Sequence, residues 1–195
     1  MRIEKREVGS GETPRGSGSQ RRVSEEDRAA VLEALGRLRY EPLAVVDRSD
    51  DGRPRVVLGF FGRGISKTAY WLTCPDLSAE VAGLESKRAI ARYEAELAAD
   101  PSLWAAFLRS QELYRRMLYT LFRRELPEVD PTPYLRQVRG VAGVGDARFL
   151  KCLHAHVAFT LATGRGPAGA MALSELGYAR GGDGRWRKKL AEEGR

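Results

Sequence analysis

At 195 residues, 43% of them hydrophobic and 30% charged, the chain is long enough to bury one core and has the composition of an ordinary soluble globular domain. No run nears the roughly 18–20 apolar residues that span a bilayer, the opening Met1-Arg-Ile-Glu-Lys-Arg6 lacks the apolar stretch of a secretory leader, and two cysteines are too few for a disulfide scaffold, so a cytoplasmic protein without a membrane span is expected. The net charge of +7 would suit nucleic acid, but residues 1–22 and 180–195 carry +3 each, leaving about +1 for the body.

Residues 1–22 are rich in Gly, Ser, Glu and Arg and read as a disordered basic tail. Ser24 is placed to cap a helix, with Asp27 in the capping-box position and Val31, Leu32, Leu35 and Leu38 as the apolar stripe. Two β-type runs follow, residues 43–46 and 56–61, with the turn signal Asp50-Asp-Gly52 between them. Residues 68–73 form a third candidate strand, ended by Pro75. One helix is then expected from Asp76 or Ser78 to about Ala99. A second restarts at Asp100-Pro101, in the favoured order of cap and first-turn proline, and carries Trp104, Phe107, Leu108, Tyr114, Leu118, Leu121 and Phe122. Residues 127–133 connect. The glycine-rich stretch 140–145 leads to Asp146, a candidate cap for a helix over residues 148–162, and a short helix follows to about Leu176. Residues 180–195 read as a second basic tail.

The helix over 148–162 concentrates the soft chemistry, for it holds Cys152 and both histidines, His154 and His156. On a wheel of about 100° per residue, Leu150, Leu153, His154, Val157 and Leu161 share one face. Cys152 and His156 lie on the opposite face as i, i+4 neighbours, and His154 points elsewhere. The readings are a buried core thiol and imidazole, a zinc site joining Cys74, Cys152, His156 and a carboxylate not identified by the sequence, a thiolate activated by histidine, and a non-covalent pocket. The first is favoured, because the segment is apolar nearly all round. Lys151, behind the glycine-rich stretch, is a candidate anion ligand, or else a side chain reaching water.

Tyr70-Trp-Leu-Thr-Cys-Pro75 and Lys151-Cys-Leu-His-Ala-His156 resemble the paired signature of the domain-of-unknown-function family 501, a bacterial family typical of actinobacteria and often encoded beside a septum-formation initiator. The similarity runs from the first helix to about Gly177. It includes Leu84-Glu85, and Gly166-Pro-Ala-Gly169 is similar to the family's Asn-Pro-Val-Gly. The chain departs from the family where a Cys-Pro-x-Gly-x-Pro segment is expected, near Asp47-Arg-Ser49, and where a late histidine is replaced by Phe159. Both losses weigh against an obligatory metal, and the signature that remains is Cys74, Lys151, Cys152 and His154.

The expectation is therefore an α+β fold, a small antiparallel sheet of about three strands packed against four to six helices, with residues 23–179 as the single domain between basic tails. The favoured function is a non-catalytic binding module with a protein partner, and the family's gene neighbourhood implies a link to division or envelope functions. The alternative is an enzyme of unknown reaction using Cys152, His154 and Lys151, with Cys74 nearby. A third reading is weak nucleic-acid binding through the tails. Cys74, Lys151, His154 and His156 are the candidate binding residues, and zinc is the one cofactor considered.

Overall fold

A computed structural model describes residues 23–189 apart from 39, 60, 61, 63 and 64, so the N-terminal tail and the last six residues lie outside the described part. Helix α1 (Glu25–Leu35) begins where expected, with Ser24 Oγ accepting from the Asp27 amide at 3.1 Å. Strands β1 (Ala44–Arg48), β2 (Pro54–Leu58) and β3 (Tyr70–Leu72) pair in that order as an antiparallel meander. Asp50-Asp-Gly52 makes the first turn, with Gly52 at φ 85°. The β1–β2 register shifts between Val45 and Asp47. Beside that irregularity the Asp47 carboxylate meets the Arg55 guanidinium, their side chains 9% and 7% exposed.

Pro75 ends β3's run and opens α2 (Pro75–Ser86). The single helix expected over 76–99 is two: α2 stops at Ser86 and α3 spans Ala89–Ala99. Arg88, between them, adopts the left-handed conformation at φ 59°, ψ 29°. The break lets α2 lie against one helix and α3 against others; no glycine or proline marks it. Helix α4 (Pro101–Glu125) is capped as read, Asp100 Oδ1 accepting from the amides of Ser102 (2.7 Å) and Leu103 (3.2 Å). A short α5 (Thr132–Gln137) and one 3₁₀ turn (Val141–Gly143) follow.

Helix α6 (Leu153–Thr163) is the centre of the molecule, packed on β3, α2 and α7 (Pro167–Glu175). Phe159 is fully buried, with ring centroids 5.8 Å from Tyr70 and 5.7 Å from Tyr114. The approach of α6 to α7 depends on Gly169, where a Cβ would lie 2.3 Å from the His156 carbonyl oxygen. The fold is α+β, with a three-stranded antiparallel sheet and seven α-helices among the described residues. That helix count reflects the break at Arg88 and a helix in part of the segment read as a connection. None of the described helices is long and apolar enough to cross a membrane.

Two further expectations are corrected. The described part of the C-terminal tail is folded: β4 (Tyr178–Arg180) and β5 (Trp186–Lys188) pair as a hairpin. Its charges are engaged, Arg187 with Asp183 (2.7 Å) and Asp50 (3.6 Å), and Lys188 with Glu80. The second correction is the start of the cysteine–histidine helix. It begins at Leu153 and not after Asp146, whose carboxylate instead holds the amide and guanidinium of Arg148 in a local turn.

Candidate functional site

The late start of α6 decides the geometry of the site. Cys152 is the residue before the helix, with extended backbone at φ −148°, ψ 116°. Within a helix, Cys152 and His154 would lie about 200° apart around the axis; with Cys152 outside it, the two side chains meet. The segment leading there is pinned from two sides. Buried Gln111 of α4 accepts from the Val141 amide (2.7 Å) and donates to the Ala147 carbonyl (3.3 Å). Glu94 of α3 accepts from the Leu150 amide at 2.9 Å.

Helix α2 supplies the other half. Ser78 and Glu85 are seven residues apart, two turns, and therefore on one face. Glu85 Oε1 accepts from the Leu153 amide at 2.6 Å, capping the first free N–H of α6 from a neighbouring helix. Its second oxygen lies 3.4 Å from His154 Nδ1, and the two side chains are 28% and 27% exposed. His154 Nε2 sits 3.0 Å from the Ser78 carbonyl oxygen, to which only an N–H can be offered. The Cys152 sulfur lies within 4.8 Å of the same imidazole. Cys152, as an acceptor for the charged ring, and the Glu85 carboxylate outweigh the burial that opposes them, and raise the pKa of His154 to about 9. Glu85, Cys152 and His154 each present a donor atom within 4.8 Å of the others, and all three residues are half-buried.

The remaining candidates fall elsewhere. His156 is buried, stacked on Phe107 at 5.9 Å, with no hydrogen-bond partner for either ring nitrogen among the described residues. Burial pushes its pKa down to about 4. It does not pair with Cys152; the histidine that does is His154, the reverse of the helical-wheel expectation. Cys74 precedes α2 on the wall of a groove of about 1130 Å³ formed with α1 and the β1–β2 turn. Eleven residues separate it from Glu85, about 16 Å along the helix. The zinc set Cys74–Cys152–His156 is therefore not assembled among the described residues. Lys151 is exposed and two residues short of α6. Two amides of the glycine-rich stretch are committed internally, Val141 to Gln111 and Gly143 to the Gly140 carbonyl. Gly140 abuts the Gln111 side chain and Gly143 that of Lys67; these glycines serve close packing.

Glu85 is the member that sequence reasoning missed. Its contact with α6 spans 68 residues, so no local pattern announces it; the one signal was its place in the Leu84-Glu85 pair of the family resemblance.

Neither the curated proteins nor the solved structures include a match to the chain. A family model described as protein of unknown function (DUF501) matches residues 45–174. That span is two thirds of the chain and takes in all but the first residue of the three-stranded sheet, Cys74, and all three members of the cluster. The chain thus belongs to the DUF501 family.

Proposed function

We propose that the protein is a binding module whose working centre is the Glu85–Cys152–His154 cluster at the start of α6. The observation that carries this reading is the imidazole of His154, fixed by the Ser78 carbonyl on one nitrogen and turned toward Glu85 on the other, with the Cys152 sulfur within 4.8 Å. Three different donor groups converge at a half-exposed point, on backbone held by two separate helices. The paired charges of Arg187 and Lys188 in the C-terminal hairpin weigh against nucleic acid as the ligand. The likeness to a family encoded beside a septum-formation initiator favours a cytoplasmic protein partner in division or envelope processes.

One observation supports a second, enzymatic reading. A thiol, an imidazole close beside it and a carbonyl on the far ring nitrogen follow the nucleophile–base–orienter order of thiol catalysis. Binding is preferred because Glu85 adds a third donor at the same imidazole, which a nucleophile–base pair does not require.

Residue-resolved alkylation of the native protein by iodoacetamide tests the centre. Cys152 is expected to react at a rate that changes severalfold in His154→Gln, while the rate at Cys74 stays as in the wild type. A Cys152 rate indifferent to His154 rules the centre out.

A further inference from the structure

We infer that the Glu85–Cys152–His154 cluster is a site for a single borderline-soft divalent cation of the zinc class. This deepens the binding reading above and rests on it. The donor set is one thiol sulfur, one imidazole nitrogen and one carboxylate oxygen. Magnesium and calcium take oxygen ligands, whereas sulfur and imidazole together select zinc and its transition-metal neighbours. Four-coordinate zinc, with bonds of about 2.0–2.3 Å, needs donors roughly 3.3–3.8 Å apart. The observed donors lie within 4.8 Å, so closure takes about an ångström of side-chain rotation.

The outer contacts argue for the same assignment. A metal-bound histidine characteristically donates its other ring N–H to a carbonyl or carboxylate, which fixes the tautomer. Here the Ser78 carbonyl takes that role at Nε2 and leaves Nδ1 facing the other donors. The carboxylate is oriented in the same way, one oxygen held by the Leu153 amide and the other directed at the imidazole. Two of the three donors thus carry the orienting contact of a ligand. Three protein donors also leave a fourth position for water or an exogenous ligand, as in open zinc sites. The cluster differs from the site weighed on sequence grounds: it needs neither Cys74 nor His156, nor the cysteine and histidine that this chain lacks relative to the family pattern.

Cobalt(II), which reports thiolate ligation by charge-transfer absorption in the near ultraviolet, gives the test on the reduced, chelator-treated full chain. The expected result is a band saturating at one equivalent and displaced by zinc. It should be lost in Cys152→Ser, weakened about tenfold or more in affinity in His154→Gln and Glu85→Gln, and retained in Cys74→Ser. Absence of the band, or its survival in Cys152→Ser, overturns the assignment. Since a variant can fail by misfolding, the wild type supplies a second measurement: zinc should protect Cys152, and not Cys74, from iodoacetamide. If Cys152 reacts in a His154-dependent manner but zinc gives no protection, the cation falls and the binding centre stands. If Cys152 ignores both His154 and zinc, both fall.

Discussion

His154 and His156 are two positions apart and titrate in opposite directions. His156 holds its neutral form because its pocket offers Phe107 and no acceptor, so its pKa falls from 6.5 to about 4. The unfolded chain binds a proton there below 6.5 and the folded chain does not. Stability from this group is therefore present above pH 6.5 and lost as pH falls to 4, by roughly 3 kcal/mol in total. His154 runs the other way: its raised pKa stabilises the metal-free fold below pH 6.5, and that contribution is lost as pH rises to about 9. Urea midpoints measured across pH 4–6.5 should flatten in His156→Phe, which keeps the ring stack and removes the titration. An undiminished slope in that variant would assign the acid sensitivity to other groups.

At the level of elements, the legible features were those whose signal is local. Ser24 and Asp100-Pro101 start helices because each side chain reaches amides two or three residues on, and Asp50-Asp-Gly52 turns because glycine accepts φ 85°. Arg88 has no such signal. Its left-handed backbone is imposed by the need of α2 and α3 to pack on different partners, at a cost of about 1 kcal/mol for a residue with a Cβ. Arg88→Gly is expected to raise stability by about that amount in equilibrium denaturation; a loss instead would show that the arginine side chain contributes more than its backbone costs. The start of α6 was hidden for a related reason. Residues 148–152 are compatible with a helix, and what stops one forming is tertiary: Glu94 and Glu85 take amides that an earlier helical turn would need. The hairpin at 178–188 resembled a tail because its charges outnumber its apolar side chains, and only the Gly181-Gly-Asp-Gly184 turn hinted otherwise.

Over the whole molecule, the sheet and the helical layer are joined through groups that are costly to leave unpaired. Tyr114 of α4 accepts from the Ala69 amide (3.0 Å) and donates to the Lys67 carbonyl (3.1 Å) at the entry to β3. The Asp47–Arg55 pair lies buried between β1 and β2. Removing one partner strands a charge away from water, so Asp47→Ala should cost about 3–5 kcal/mol in thermal or chemical unfolding. A cost below about 1 kcal/mol would mean that solvent reaches Arg55 in the variant. The paired carboxylate matters here chiefly as insurance against an orphaned guanidinium inside the sheet.

Glu85 touches two things at once: the opening amide of α6 with one oxygen and the imidazole of His154 with the other. The most buried of the described helices is therefore tethered, at its leading end, to a side chain of the proposed site. Any guest that draws on that carboxylate also tugs on the first turn of α6, and through Gly169 and Phe159 that turn is geared directly to α7 and the sheet. In the proposed site, occupancy and core tension would become one mechanical variable, with Glu85 as the linkage.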